Sequence, residues 1–399
     1  MQDKPTEEIV EGERKRSLRH VSSAIFCIAF AASAASQVPS LAAQAPTCSA
    51  SKAAGAVSRR AEFAIDSLTR LREFAGTVVV ARGGVPLVLC ASGWADAAWH
   101  VPNTPDTKFN IASLTKQFTG MAVLQLIGAG KLSLDDSIAK FYPAAPAGWR
   151  AVTIRRLLAH TAGIPGGELS DFYRGLTQPY TPQELVKIFA AKPLDFEPGT
   201  RWKYSNSGYY VLGYVIERVS GQPYAQYIQD HIFAPLGMTS SGYESNTRVI
   251  PNHAFGYVRD TIDRVTGLRY ADYLDWSAPY AAGALYSTVG DLLLWDDALS
   301  GRGRTAALLP TRTLDSLFKP DPRPDSLQPR GAFYRAGWFV TRDANGRARV
   351  EHEGSDPGFG AFSLRFPEDG SVIVVLANIE NAPVRQLATF LADALYSQH

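Results

Sequence analysis

Two residues able to do chemistry, Ser113 and Lys116, stand three positions apart at the start of an apolar run that extends to Ile127. On a helix this spacing puts both side chains on one face, where an amine can take a proton from a hydroxyl group. Apolar residues occupy nearly every face of the run, which is typical of a helix enclosed by protein. The pattern predicts a nucleophile beside its base at the start of a buried helix.

The Ser-x-x-Lys spacing alone does not identify a site, because it also begins at Ser49, Ser137 and Ser316. Ser49 follows a predicted cleavage site, and the other two lie in charged stretches that we expect to be solvated. Ser113 is the one that heads a long apolar helix. Its context therefore selects it from the four.

A second candidate element is the only Tyr-x-Asn of the chain, Tyr204-Ser205-Asn206, in a polar and aromatic loop before a predicted helix. A nearby ammonium group lowers the pKa of a phenol from about 10, so we expect Tyr204 to share a proton with Lys116 and relay it to a leaving group. Asn206 would hold Lys116 or a substrate carbonyl. Taken alone, the pair is more typical of a loop aromatic followed by a helix-capping amide than of a catalytic pair.

The third candidate element is the only His-x-Gly of the chain, His352-Glu353-Gly354, followed by Ser355 at the end of a predicted strand. A strand edge beside a helix N-terminus can offer a backbone N–H to a developing oxyanion, and glycine allows close approach of a substrate. We expect the N–H groups of Ser113 and Ser355 to form an oxyanion hole. Taken alone, His352 is typical of a structural histidine at a strand end.

The elements that must position these residues follow from hydrophobic periodicity. Helical spacing predicts a first helix over 53–74, a final helix over 382–396, and a helical middle section. The helices of this section are predicted over 152–160, 182–191, 208–219, 224–233 and 288–299. Runs bounded by glycine-containing turns predict strands. These strands are predicted over 77–80, 85–89, 337–341, 348–352, 359–366 and 371–377.

The simplest arrangement joins the six strands in one antiparallel sheet, flanked by the N- and C-terminal helices. We therefore predict an α+β fold in which residues 46–110 and 330–399 form one domain. Residues 111–329 would form an inserted, mainly helical domain that carries the Ser-x-x-Lys and Tyr-x-Asn elements. The active site is expected in the cleft between the two domains.

Composition and the N-terminus limit the possible functions. The net charge of +2 comes from interspersed charges and provides no basic patch of the kind that nucleic acid needs. Arg14-Lys15-Arg16 precedes an Ala-rich apolar run, and Ala43-Gln44-Ala45 has the A-x-A arrangement. We predict a cleaved signal peptide over 1–45, a periplasmic or secreted protein, and no membrane span in the mature chain. An uncleaved anchor is the alternative, although the apolar run is short for a span.

Cleavage would remove Cys27 and leave Cys48 and Cys90 in a compartment where disulfides persist. A Cys48–Cys90 disulfide and two unpaired thiols, with Cys90 buried in a strand, are both compatible with the sequence. Other chemistries have little support, since the chain has no Gly-x-Ser-x-Gly elbow, no Walker loop and no His-Glu-x-x-His. We expect no metal and no cofactor, with structural or surface roles for His160 and His253.

The order and context of the three elements resemble the family of class C β-lactamases, D-Ala-D-Ala carboxypeptidases and related serine esterases. Further similar stretches are Leu157–Pro165, Glu197–Thr200 and Gly283–Thr288. The resemblance implies a β-lactamase/transpeptidase-like fold in which Ser113 is acylated. It also implies that Lys116 and Tyr204 act as coupled base and acid.

One departure from the family pattern concerns the third element. His352 and Glu353 stand where many members carry the lysine and threonine of a Lys-Thr-Gly triplet. Losing a fixed cation and adding a carboxylate should weaken attraction for an anionic substrate. The same change favours neutral esters or amides, or a substrate with a free amine.

We therefore expect a serine hydrolase that cleaves a small-molecule or peptide ester or amide through an acyl-enzyme. A class C β-lactamase or a D-Ala-D-Ala carboxypeptidase is the first alternative. A non-catalytic cell-wall-binding or scaffolding module on the same fold is the second. The sequence predicts neither the natural substrate nor the oligomeric state.

Overall fold

A computed structural model of the chain describes residues 44–166, 177–263, 266–303, 308–309 and 332–397. The predicted signal peptide therefore lies almost entirely outside the described residues, and Ser316 does so as well. Within these ranges, no helix combines the length and the apolar character needed to cross a membrane.

The strands group into one large antiparallel sheet and three small ones. In chain order the strands are β1 Thr47–Ala50, β2 Gly76–Arg82, β3 Val85–Ser92, β4 Trp94–Asp96, β5 Val101–Pro102, β6 Phe109–Asn110, β7 Gly242–Tyr243, β8 Tyr257–Arg259, β9 Leu268–Tyr270, β10 Leu285–Ser287, β11 Phe333–Arg335, β12 Trp338–Arg342, β13 Ala348–Asp356, β14 Phe359–Phe366 and β15 Ser371–Ala377. The large sheet has eight strands in the order β1-β3-β2-β15-β14-β13-β12-β11. The β2–β15 pair joins the two ends of the chain in one sheet.

The helices flank this sheet and fill the middle of the chain. They are α1 Gly55–Arg70, α2 Thr115–Gly128, α3 Ile154–Leu158, α4 Pro182–Ala190, α5 Asn206–Ser220, α6 Tyr224–Ile228, α7 Ala234–Leu236, α8 Tyr280–Gly283, α9 Val289–Leu299 and α10 Val384–Tyr396. A π-helical turn, Gln229–Phe233, joins α6 to α7. Each predicted helix thus has a counterpart, and α1 and α3 are shorter than expected.

Both faces of the large sheet are covered, as the alternation of its side chains requires. On β2, Val78 and Val80 pack into a core with α1 and α10. Val79 points the other way, into a second core that contains much of α2 and α5. The prediction of an α+β fold with flanking terminal helices is confirmed, whereas the domain boundaries 46–110 with 330–399 and 111–329 remain a prediction.

The sheet differs from the predicted one at its edges and along β13. The six predicted strands are present, and β1 and β11 add one short strand at each edge. Neither of these short segments has the sequence periodicity of a strand. They are strands because they pair with a neighbouring strand. β13 continues four residues beyond its predicted end at His352 because β14 pairs with it as far as Asp356.

The two cysteines in the described residues form a disulfide. Cys48 on β1 lies directly opposite Cys90 on β3 and is bonded to it. Of the two arrangements left open by the sequence, the structure therefore has the disulfide. The bond fixes β1 to the sheet, where, within the ranges that the structure describes, β1 has a strand neighbour on one side only.

Candidate active site

Ser113 lies in a single 3-10 turn, Ala112–Leu114, that leads directly into α2. The preceding residue, Ala112, has a left-handed backbone with φ of 46°, a conformation that costs a non-glycine residue about 1–3 kcal/mol. Its N–H donates to Asn110 Oδ1 at 2.8 Å, which holds the turn. The structure thus presents Ser113 on a constrained turn at the start of a buried helix.

Lys116 lies beside Ser113, as the spacing predicts. Its side chain is fully buried, and Nζ donates to Ser113 Oγ at 2.8 Å and to Ala282 O at 2.8 Å. Burial lowers the pKa of Lys116 well below its ordinary value, although the nearby Asp356 opposes this shift. A lowered pKa favours the neutral amine, which is the form that can accept a proton from a hydroxyl group.

Tyr204 reaches the same point from the loop before α5. Lys116 Nζ lies 5.0 Å from the centre of its ring, and the phenol hydrogen-bonds with the Ser113 side chain. The expectation that Lys116 would lower the pKa of Tyr204 is wrong, because burial raises that pKa and outweighs the hydrogen bond to Ser113. Tyr204 is therefore a neutral phenol, suited to donating a proton.

His160 holds the Tyr204 loop in place. Ser205 N–H donates to His160 Nδ1 at 3.2 Å, and Lys203 N–H donates to the His160 carbonyl at 3.0 Å. The two rings, of His160 and Tyr204, are 4.4 Å apart. Burial lowers the pKa of His160 well below its ordinary value, so its ring is neutral. This supporting arrangement agrees with the structural role expected for His160.

Asn206 is the first residue of α5, and the side chain of Ser205 caps that helix by accepting from Gly208 N–H. Asn206 is 4% exposed and lines a cavity that opens at Ser113. Its Oδ1 has no hydrogen-bond partner within the described part of the chain. Because Ser205 supplies the cap, the amide of Asn206 is available to a substrate.

Strand β13 runs directly over the turn that carries Ser113. A Cβ on Gly354 would lie 2.5 Å from Ile111 O and 3.0 Å from Ser113 N, so no residue larger than glycine fits there without displacement. β12 pairs with β13 only as far as Glu351. The edge of β13 beyond this point, which includes Ser355, has no strand beside it among the described residues and borders the cavity.

His352 is buried and neutral in this site. Nδ1 lies 2.7 Å from Glu353 O and Nε2 lies 3.1 Å from the Tyr334 hydroxyl. Because a carbonyl only accepts, Nδ1 carries the proton and Nε2 accepts from Tyr334. Burial lowers the pKa of His352 to about 3, and the charge of Lys116 acts in the same direction. The position that often carries a lysine in the family thus holds an uncharged ring.

Glu353 is largely exposed at the cavity rim and pairs with Arg385, whose Nε donates to it at 2.8 Å. Arg385 also pairs with Glu351, which in turn pairs with Arg349. The expectation that Glu353 adds a carboxylate to the site therefore needs correction, because a neighbouring guanidinium on α10 neutralises it. The net change at the third element is the loss of a cation.

The predicted residues meet around one cavity of about 550 Å³. Ser113, Tyr204, Asn206, His352, Glu353 and Ser355 line it, and Lys116 lies behind Ser113. The sequence prediction missed Asp356, the last residue of β13, which also lines the cavity. Burial raises the pKa of Asp356 to about 8. The sequence signal that could have identified Asp356 as a site residue was its place two residues beyond Gly354, on the same face if the strand continued.

The fold is the β-lactamase/transpeptidase-like fold, and its cavity brings the candidate serine and lysine together, as expected of a serine hydrolase-like family. The chain belongs to the Beta-lactamase family, whose model matches residues 65–396. A relative, the putative penicillin-binding protein PbpX of Bacillus subtilis (strain 168), is 32% identical over 310 residues, which cover 77% of this chain and 71% of PbpX.

Solved structures show the same fold. The penicillin binding protein from Bacillus halodurans is 26% identical, with a TM-score of 0.69 over 84% of this chain and 99% of that protein. The D-amino acid amidase from Ochrobactrum anthropi SV3 is 25% identical, with a TM-score of 0.72 over 86% of this chain and 99% of that protein. The predicted resemblance to serine β-lactamase-like proteins is confirmed.

The raised pKa of Asp356 generates a prediction about stability. An unfolded aspartate has lost its proton above pH 3.8, whereas the folded protein keeps it up to about pH 8. Unfolding therefore releases a proton in this window, and the residue's contribution to stability falls as pH rises. We expect Asp356→Asn to raise the melting temperature by an amount that grows from pH 4 to pH 8.

Thermal unfolding followed by circular dichroism across this pH range measures the difference between the two proteins. Glu380→Gln removes one negative charge from the same cavity and is the matched control. If the two variants shift the melting temperature alike at every pH, burial of Asp356 is not the cause.

Proposed function

We propose that the protein is a serine hydrolase that cleaves an ester or amide through an acyl-enzyme on Ser113. The observation that carries this proposal is the 2.8 Å contact between Ser113 Oγ and the buried Lys116 Nζ. An amine whose pKa is lowered by burial is a competent base for the adjacent hydroxyl group. The family and the amidase neighbour support a hydrolytic reaction.

In the acylation step, neutral Lys116 takes the Ser113 proton while Oγ attacks the substrate carbonyl carbon. The backbone N–H groups of Ser113 and Ser355 stabilise the oxyanion that forms. Tyr204 donates its proton to the leaving alcohol or amine, and Lys116 returns a proton to Tyr204. The close approach of Gly354 to Ser113 N supports this geometry.

In the deacylation step, a water molecule gives a proton to the same pair of residues and attacks the acyl carbon. The oxyanion again forms between the two N–H groups, and its collapse expels Ser113 Oγ, which regains a proton. Asn206, whose amide faces the cavity, would position the substrate in both steps. His352 and Glu353 would bound the cavity on the side of Tyr204, where the His352 and Tyr204 ring centres are 6.1 Å apart.

The nucleophile can be tested with a fluorophosphonate probe, which forms a covalent bond with an activated serine. We expect the native protein to be labelled at Ser113 and Ser113→Ala to remain unlabelled. Ser137→Ala is the matched control, because Ser137 also precedes a lysine by three residues but lies outside the cavity. Peptide mapping by mass spectrometry locates the label, and an unlabelled native protein would favour the non-catalytic module.

The proton-transfer roles can be tested with Lys116→Ala and Tyr204→Phe. Removing a positioned acid or base typically lowers a rate by roughly 10²- to 10⁴-fold, so we expect losses of this size in ester turnover. Lys140→Ala, at the equivalent spacing from Ser137, should retain native turnover. The roles are wrong if either cavity variant hydrolyses a p-nitrophenyl ester at the native rate while circular dichroism shows an intact fold.

The substrate side of the cavity predicts a preference between electrophiles. A penicillin carries a carboxylate, and the neutral His352 offers it no cation. We expect a short p-nitrophenyl ester to be turned over with a higher kcat/KM than a penicillin. Rapid covalent trapping by a labelled penicillin, with little ester turnover, would instead favour a β-lactamase or a D-Ala-D-Ala carboxypeptidase.

A further inference from the structure

Asp356 is a carboxylate on the cavity wall to which the proposed reaction assigns no role. It is 7% exposed and ends β13 on the strand face that also carries His352 and Gly354, all three of them buried. Its Oδ2 lies 3.2 Å from where a Cβ on Gly283 would be, so the carboxylate packs against the Gly283 backbone. Ala282, next to it, accepts a hydrogen bond from Lys116. Asp356 therefore lies close to the reacting groups.

The carboxylate of Asp356 lacks a partner on its buried side. Oδ2 is buried and accepts no hydrogen bond from the described residues. A buried oxygen left in this state costs free energy, and such atoms in native proteins call for an explanation. Asn206 Oδ1, also on the cavity wall, is a second buried acceptor without a partner in the same part of the chain. The cavity thus presents two hydrogen-bond acceptors that a ligand with hydrogen-bond donors could satisfy.

The charges around Asp356 favour a cation from outside the protein. Arg385, at the rim, is already paired with Glu351 and Glu353. Glu244 acts on Asp356 with a like charge and is itself bonded to His253 at 3.0 Å. Lys116 is engaged with Ser113 and Ala282. The free protein keeps the proton of Asp356 up to about pH 8, and a positively charged ligand bound at Oδ2 would displace that proton and pair with the carboxylate.

The position of Asp356 indicates which part of a substrate it would meet. Gly354 lies against Ser113 N, and each pair of strand residues spans about 6–7 Å. His352 and Asp356 therefore lie on opposite sides of the nucleophile. Tyr204, the proposed donor to the leaving group, is close to His352. The Asp356 side of the cavity is accordingly the side of the acyl group.

We propose that Asp356 binds a primary ammonium group on the acyl part of the substrate, so that the preferred substrates are esters or amides of amino acids with a free amine. An ammonium group has three donors and no acceptor, which matches the unpartnered oxygens of Asp356 and Asn206. This assignment of the substrate class rests on the proposed acyl-enzyme mechanism.

Binding of the ammonium group would also act on the base. The negative charge of Asp356 raises the pKa of Lys116. When a bound ammonium group displaces the Asp356 proton, its own positive charge offsets the carboxylate, and so Lys116 stays in its neutral form. The bound substrate would thereby preserve the neutral amine that deprotonates Ser113.

The test compares phenylalanine methyl ester, as each enantiomer, with methyl 3-phenylpropionate, which lacks only the amine. Methanol release gives kcat/KM for each ester, at a pH where the amine is protonated. Because hydrogen bonds to charged groups are the stronger class, we expect the native protein to prefer one amine-bearing enantiomer by on the order of 10- to 100-fold. N-acetylphenylalanine methyl ester, which has lost the charge, should lose this preference.

Asp356→Asn should reduce the ratio of the two kcat/KM values to within a few-fold, mainly through KM of the amine-bearing ester. The ratio removes any effect of the substitution on Lys116 that both esters share. Glu380→Gln is the matched control, since it removes a carboxylate from the same cavity, and it should keep most of the native preference.

Fluorophosphonate labelling of Ser113 in the same preparations separates two failures. If Ser113 is labelled but the native protein shows no amine preference, or Asp356→Asn keeps the preference, the ammonium site is wrong and the hydrolase stands. If Ser113 is not labelled and no ester is turned over, the proposed hydrolase itself is wrong, and the ammonium site is overturned with it.

Discussion

The buried amine of Lys116 organises this site because its Nζ donates both to Ser113 Oγ and to Ala282 O. The first contact gives the serine a base, and the second fixes the base to the segment that carries α8. A lysine in this environment holds its proton weakly, since water no longer stabilises the charge. The reactivity proposed for Ser113 therefore follows from burial of its neighbour and not from any unusual property of serine.

Such a site is costly for the fold that carries it. A buried aspartate and an asparagine oxygen without a partner among the described residues line the cavity, and a buried lysine lies behind its serine. The residue before that serine has a strained backbone. The remainder of the molecule must offset these costs. It does so with a sheet that is covered on both faces by apolar cores and with a disulfide that fixes the edge strand β1.

The sequence predicted the helices and strands that are defined by patterns of neighbouring residues. The glycine turn between β2 and β3, the apolar runs of β14 and β15, and the apolar run after Ser113 are all patterns of neighbouring residues. Two edge strands, β1 and β11, were missed because partners distant in sequence define them. Asp356 was missed for a related reason. It lies in a segment of polar residues and glycine that lacks the apolar pattern of a strand.

The electrostatic expectations were less reliable than the structural ones. The pKa of Tyr204 was predicted to fall, and burial raises it instead. The carboxylate of Glu353 was expected to act on the substrate, and Arg385 neutralises it from a helix near the end of the chain. The pKa of a side chain depends on its burial and on its distance from other charges, and only the folded structure defines these two quantities. That the candidate residues would lie together was therefore predictable, whereas their protonation states were not.

The order of the strands has a consequence for when the protein can become reactive. Ser113 and Lys116 lie in the first third of the chain, but the strand that passes over them, β13, pairs with β14 and, through β15, with β2. A chain that ends before β15 lacks the strand that connects the β13–β14 pair to β2. During synthesis the proposed nucleophile is therefore made long before the strand that carries the Ser355 N–H of the proposed oxyanion hole. Under the proposed mechanism, an incomplete chain would carry an inert serine, and the gain of activity would report completion of the sheet.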